Sequence, residues 1–366
     1  MERLHTPLSD LLGLAVPVIQ APMAGGPSSP ELVAACSTAG ALGSFGFAYT
    51  QPEEMKKQSA AVRAQTDRPF GINLFLAPQP GEITADAQRA ALDAVSGYYA
   101  ELGLSPPEPA HAPYAPDLEA QLAAVEAIRP RVFTSHLGAL PAAQVKAFQS
   151  LGICVGGSAT CVAEARNLES LGFDFVIAQG GEAGGHRGSY LCDPYQALTG
   201  TLALVRLIVS AVRVPVVAAG GIMDGAGIAA VLALGAQAAQ LGTAFIPCPE
   251  SGAPKAHKDT LLALHEDTSA VTEKFSGKPA RGIVNRFMRE MSYHDAAQLA
   301  FPAQNSITGR LRAAAAKAGN PDFLAMWAGQ ALALSRSLPA AELIARLEAE
   351  TVEAIRRTAG LVKERP

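Results

Sequence analysis

The sequence predicts an α/β protein: a (β/α)8 TIM barrel with a smaller cap (substrate) domain inserted after the eighth strand. Three observations predict it. Eight short, nearly continuous apolar runs alternate with amphipathic stretches, as in parallel strands covered by helices. Glycine-rich strings follow several of these runs, where a barrel carries its active-site loops. Hydrophobic residues make up 49% of the 366-residue chain and charged residues 17%, which suits a large core and excludes intrinsic disorder.

The strand candidates are residues 16–21, 41–45, 70–75, 131–137, 154–158, 175–179, 214–219 and 238–245. Helix starts lie between them. Ser29-Pro30 offers an N-cap followed by proline at the first helical position. Thr50-Gln-Pro-Glu53 fits a capping box, Thr160 caps a helix over 162–171, and Asp224 caps one through 228–234. Two stretches depart from a plain barrel. Residues 103–116 hold Pro106, Pro107, Pro109, Pro113 and Pro116 and read as an extended excursion between the third and fourth strands. Residues 247–320 mix polar loops, short helices and scattered prolines, and read as a cap. The expected division is a barrel over 1–246, a cap over 247–320, and C-terminal helices over 321–366 packing back on the barrel. In the last part, Leu338, Leu343, Ile344, Leu347 and Ile355 mark the apolar face of a helix over 337–359.

A net charge of −4 gives no reason to expect a nucleic-acid partner, so an anionic ligand needs local positive groups or helix N-termini. Cys36, Cys154, Cys161, Cys192 and Cys248 form no C-x-x-C pair. An odd, scattered set predicts neither a disulfide framework nor a zinc site, and a reducing compartment. The apolar run 11–19 is flanked by Glu2, Arg3 and Asp10 and broken by Pro17, unlike a signal-peptide core. The run 202–219 contains Arg206, Arg213 and Pro215, which excludes a membrane span. The expectation is a cytoplasmic protein with no membrane or metal partner.

Five motifs lie just after strand candidates. In Gln20-Ala-Pro-Met23-Ala-Gly-Gly26 the glycines allow backbone to approach a flat ring while Met23 packs near it; taken alone, the string is better explained as a simple Gly-Pro turn. In Phe70-Gly-Ile-Asn73-Leu-Phe75, an asparagine ending an apolar strand needs a partner, either a ligand or a core amide. The string Gln179-Gly-Gly-Glu182-Ala-Gly-Gly-His186-Arg187-Gly188 is the most informative. It is too rich in glycine for a helix, exposes backbone N–H groups, and carries in His186 a side chain that titrates near neutrality. Val216-Val-Ala-Ala-Gly220-Gly221-Ile-Met-Asp224-Gly225 and Gly235-Ala-Gln-Ala-Ala-Gln240-Leu-Gly242-Thr243-Ala244 follow the seventh and eighth strand candidates, where barrels commonly bind phosphate. Neither is a Walker A loop, and no G-x-G-x-x-G opens a strand-to-helix unit.

In this order the five motifs resemble those of the nitronate monooxygenases, formerly 2-nitropropane dioxygenases, with a further echo at Phe323-Leu-Ala-Met-Trp327-Ala-Gly-Gln330. The resemblance implies an FMN enzyme. It implies cofactor contacts at Asn73, Gln179, Gly184, Gly221, Gln240, Leu241, Gly242 and Thr243, beside Met23, with His186 as the catalytic residue. It also implies a small anionic nitronate and O2 as substrates, and a carbonyl compound and nitrite as products. Some members carry two tyrosines and a lysine, each four residues from the next, where this chain reads Phe301-Pro-Ala-Gln-Asn305-Ser-Ile-Thr-Gly309. His136, ending the fourth strand candidate, faces either the site or the core. Rival readings on the same barrel are an FMN-dependent enoyl-thioester reductase and an NAD(P)H:quinone reductase. A flavin-binding sensor or storage protein without turnover is a rival of another class.

Overall fold

All eight predicted runs become strands. A computed structural model describes residues 4–78, 80–294 and 297–362; Glu2 and Arg3 lie outside them. The barrel strands are β1 (Val18–Gln20), β2 (Gly43–Gly46), β3 (Phe70–Phe75), β4 (Val132–His136), β5 (Cys154–Ala159), β6 (Phe175–Gln179), β8 (Val216–Ala219) and β9 (Ala238–Leu241), with the two-residue β7 (Gly185–His186) in the loop after β6. They pair in parallel in the order β1-β9-β8-β6-β5-β4-β3-β2. A parallel bridge from Ile19 to Leu42 brings the two ends of the sheet together. The eight strands therefore nearly close into a TIM barrel.

Side chains alternate across each strand, so one residue in two faces the barrel axis. Phe175, Ile177, Val217 and Ala219 form the inner cluster with Val132 and Cys154, and Leu8 and Leu12 from α1 (Pro7–Leu12) join it at one end. The intervening residues Val176, Ala178, Val216 and Ala218 pack outward in the main core with Leu204, Val205 and Ile228. The helices supplying that core include α2 (Pro30–Thr38), α3 (Pro52–Arg63), α5 (Leu118–Ile128), α6 (Ala142–Ser150), α7 (Val162–Ser170), α8 (Thr201–Val209) and α9 (Gly225–Ala233). No described helix is long and apolar enough to cross a membrane.

Helix starts follow the sequence in two cases and depart from it in two. Ser29 Oγ accepts from Leu32 N–H and Asp224 Oδ1 from Gly227 N–H, as expected of caps. The capping box expected at Thr50–Glu53 does not form. Helix α3 begins one residue later, at Pro52, after a Gln51 that makes no side-chain cap bond, and Glu53 pairs with Lys56 instead. Thr160 caps nothing either: its hydroxyl donates to Glu164 Oε2 at 2.8 Å, and α7 starts after Cys161. The eighth run is also shorter than predicted. It leaves the sheet at Leu241, and Thr243–Phe245 turn into a 3-10 helix.

The cysteine expectation is overturned as well. Cys161 and Cys192 form a disulfide between the start of α7 and the loop after β7, while Cys36, Cys154 and Cys248 stay free and buried. Buried Glu164 draws the two segments together by accepting from the N–H groups of Tyr190 and Leu191. The two cysteines lie 31 residues apart, and only the fold makes them neighbours.

A second core draws on three stretches of chain. Val95, Tyr98 and Tyr99 come from α4 (Ala85–Glu101), between β3 and the proline-rich stretch 103–116. Leu261, Phe287 and Ile307 come from α10 (Lys255–Ala263), α11 (Arg286–Met291) and α12 (Ala303–Ala318). Phe323, Met326 and Ala328 follow α12. Above the barrel, β10 (Ser269–Thr272) pairs antiparallel with β11 (Ala280–Ile283), and β11 pairs with β7. The His186 loop is thus a strand of the cap sheet. The last helix, α13 (Ala340–Ala359), packs Leu343, Ile344 and Leu347 on α9 and α2, leaving Ile355 exposed.

Candidate active site

A cavity of about 520 Å³ opens where the barrel strands end, and all eight contribute to its lining. Met23 follows β1, Tyr49 follows β2, Asn73 lies within β3 and Phe75 ends it, His136 ends β4, Ser158 lies near the end of β5, Gln179 ends β6, Ile222 follows β8 and Gly242 follows β9. The cap closes it with Arg312 from α12 and Trp327 beyond it. This is the C-terminal face on which barrels build their sites, and the volume lies within the ~300–1,000 Å³ range of small-ligand sites.

The structure brings together at this cavity Met23, Asn73, Gln179, Gly184, His186, Gly221, Gln240, Gly242 and Thr243. Leu241 does not join them. It is 1% exposed and packs outward in the main core, because neighbouring strand residues face opposite sides and Gln240 takes the inward position. Two other residues have their amides committed to protein partners. Asn73 donates through Nδ2 to the carbonyl and the hydroxyl of Thr134, leaving its carbonyl oxygen for a ligand. Gln179 donates to the His186 carbonyl at 2.9 Å and accepts from Gly188 N–H at 2.8 Å, so it shapes the loop. Arg187, fully buried, does the same with charge, donating to the carbonyls of Gln179, Gly180 and Ala197. Gly184 is required by contact: a Cβ there would sit 2.6 Å from the carbonyl carbon of Ala328.

His186 stands inside an aromatic ring of Phe75, Phe301 and Trp327, whose centroids lie 5.4, 5.6 and 5.6 Å from its own. Its Nε2 lies 2.9 Å from Ser276 Oγ, and Ser276 in turn donates to the Lys278 carbonyl. That chain assigns the ring proton to Nε2 and leaves Nδ1 as the lone-pair acceptor. Burial pushes the His186 pKa down to about 3, helped by His136, Lys278 and Arg312. His136 is neutral for the same reason, at about 4. It donates from Nε2 to the His186 carbonyl and accepts at Nδ1 from Ser158, which carries its ring behind the loop. His257, also lining the cavity, is depressed by burial to about 4.

These depressed values have a consequence for stability. Between the folded pKa values of about 3–4 and the ordinary 6.5, the unfolded chain binds protons that the folded one refuses. The contribution of the three histidines is therefore complete above pH 6.5 and lost as pH falls toward 4. The melting temperature is expected to drop steadily from about pH 6.5 to about pH 4.5. A level melting profile across that window would contradict the burial of these rings.

Sequence reasoning missed Tyr49, Ser276 and Arg312, none of which sits in a glycine-rich string. The spacing of α12 was the one available signal: Asn305, Gly309 and Arg312 recur at helical intervals, so they share a face and all line the cavity. Chemically, the described lining holds no Asp, Glu, Lys or Cys. It presents neutral rings, exposed backbone and one guanidinium to whatever binds.

The model of the nitronate monooxygenase family matches residues 5–350. The chain belongs to that family. It is accordingly an enzyme, an oxidoreductase. It is 44% identical to a nitronate monooxygenase of Pseudomonas aeruginosa over 93% of this chain and 97% of that one. Among solved structures it is similar to a nitroalkane oxidase from Streptomyces ansochromogenes, with a TM-score of 0.89 and 40% identity over 97% of this chain and 99% of that one. FabK from Thermotoga maritima is also similar, with a TM-score of 0.77 and 28% identity over 98% of this chain and 100% of that one.

Proposed function

We propose that this enzyme uses FMN to oxidise alkyl nitronates with O2, yielding a carbonyl compound and nitrite. The observation that carries the reading is a neutral, aromatic-walled His186 over a glycine-lined cavity, in a chain similar to nitronate monooxygenases along nearly its whole length. The residues present fit a flavin monophosphate. Gly220 and Gly221, both at positive φ, and Gly242 present backbone without side chains where the seventh and eighth barrel strands end. Building a Cβ on Gly25 or Gly185 meets nothing within 4 Å, which leaves open space for a flat ring.

In this reading the N–H groups of Gly221, Gly242 and Thr243 hold the phosphate. Met23, Asn73, Gln179, Gly184 and Gln240 surround the rest, and Leu241 supplies backbone only. FMN, when bound, supplies the redox chemistry, accepting electrons from the nitronate and passing them to O2. His186 orients the substrate, and its Nδ1 lone pair takes the proton when a neutral nitroalkane is used. Phe75, Phe301 and Trp327 exclude water around it.

The yellow protein is expected to release FMN, not FAD, on denaturation, as read by chromatography of the supernatant. FAD, or a colourless protein that binds no added FMN, would sink the reading. The similarity to FabK favours a second reading, an FMN-dependent reductase. Anaerobic mixing separates the two: rapid bleaching by a nitronate alone supports the oxygenase, and rapid bleaching by NADH the reductase.

A further inference from the structure

A nitronate is an anion, yet the histidine expected to meet it is neutral. The compensating charge has to come from elsewhere in the cavity. Among the described lining residues Arg312 alone carries a charge at neutral pH. It is not half of an ion pair: no carboxylate bonds to it among the described residues. Its partners all lie on its own helix, with Nε on Thr308 Oγ1 at 3.2 Å and Nη2 on the carbonyl and side-chain oxygens of Asn305 at 3.0 and 2.7 Å. Thr308 is itself anchored by its hydroxyl on the Phe275 carbonyl. The guanidinium is therefore aimed, and Nη1 is the end left for the cavity. A half-buried cation without an anion is costly, so a site that keeps one is suited to receive an anion.

Tyr49 adds a second observation. Its hydroxyl is buried without a hydrogen-bond partner, and its ring packs edge-on against Phe75, which also touches His186. Tyr49 and Arg312 act on one another electrostatically, and Arg312 acts on His186, so the three share one electrostatic neighbourhood. A guanidinium matches a planar group bearing two oxygens, and an apolar wall strengthens its pull.

We propose that Arg312, assisted by the Tyr49 hydroxyl, is the anion-recognising subsite that holds the two oxygens of the nitronate and sets the preference for nitronates over neutral nitroalkanes. This rests on the nitronate reading above. It also answers the missing tyrosine and lysine positions of α12: with Asn305 and Gly309 there, the cation comes from one turn further along the same face.

The test uses the flavin-loaded enzyme and sodium nitrate, a planar oxygen-bearing monoanion that is not consumed. Nitrate affinity is measured by calorimetry, and kinetics are measured on ethyl nitronate and nitroethane, for the parent, Arg312→Met, Arg312→Lys and Tyr49→Phe. Arg312→Met is expected to weaken nitrate binding and raise KM for ethyl nitronate about ten-fold or more, roughly 1.4 kcal/mol. Its effect on nitroethane should be smaller. Arg312→Lys should recover part of the affinity, and Tyr49→Phe should lose a smaller part. A parent that does not bind nitrate, or an Arg312→Met enzyme with the parent's nitrate affinity and nitronate KM, overturns the subsite. If Arg312→Met does not fold, Arg312→Lys and Tyr49→Phe decide: parental nitrate affinity and nitronate KM in both overturn it. Arg312-dependent nitrate binding in an enzyme that leaves nitronates untouched would instead overturn the proposed function and keep the subsite.

Discussion

His186→Asn is expected to keep the fold and the flavin while losing much of its turnover. The loop's shape comes from its backbone: Gln179 and His136 donate to the His186 carbonyl oxygen, and Arg187 donates to the carbonyls of Gln179, Gly180 and Ala197. None of these contacts uses the imidazole. What disappears is the ring held by Ser276 among three aromatics. For preformed nitronates kcat/KM should fall about ten-fold or more, and ten-fold corresponds to roughly 1.4 kcal/mol of transition-state stabilisation. For neutral nitroalkanes the loss should be larger by the share due to proton removal, ~10²–10⁴-fold. Steady-state kinetics on a nitroalkane and its nitronate read both. Equal losses assign the ring to orientation, and parental turnover removes it from the mechanism.

Gly221→Val is expected to cost the enzyme its cofactor. Gly221 sits at φ +69°, in the left-handed region, and a Cβ there would lie 3.1 Å from the Cβ of Glu182. A β-branched residue cannot hold that conformation without strain of order 1–3 kcal/mol. The backbone therefore turns, and the N–H proposed to hold the phosphate turns with it, which would remove a charged hydrogen bond worth about 1.5–3 kcal/mol. Together these predict FMN affinity weaker by roughly 10²-fold or more, read by flavin fluorescence during titration of the apoprotein. Gly103→Val is the control. It shares the conformation at φ +66° with nothing within 4 Å, outside the cavity lining, so it should lower stability and leave FMN affinity alone. Full flavin occupancy in Gly221→Val after extensive dialysis would move the phosphate elsewhere.

The strands were legible for a simple reason. A parallel strand covered by helices is apolar on both faces, so residues 70–75 or 175–179 stand out as unbroken runs between polar stretches. The loop around His186 stood out because a helix does not tolerate so many glycines in so short a stretch, beside a histidine and an arginine. Caps were less legible. Ser29 and Asp224 behaved as their neighbours suggested, but Thr50 accepts at its backbone carbonyl from Gln121, and the Thr160 hydroxyl bonds Glu164 four residues on and Ser189 beyond it.

By itself, then, the sequence determined the number and order of the strands, the barrel they form and the loops that carry glycine and histidine. All of these are local patterns, written within ten residues of one another. Only the tertiary structure decided which side chains meet. Closing the barrel set Leu241 outward beside an inward Gln240 and joined Cys161 to Cys192. Folding the cap over it placed Ser276 on His186 and brought Tyr49 and Arg312 to one cavity. The physical reason is range: periodicity records what a residue's own element needs, whereas a site assembled from residues 49, 186, 276 and 312 depends on packing that no local pattern encodes.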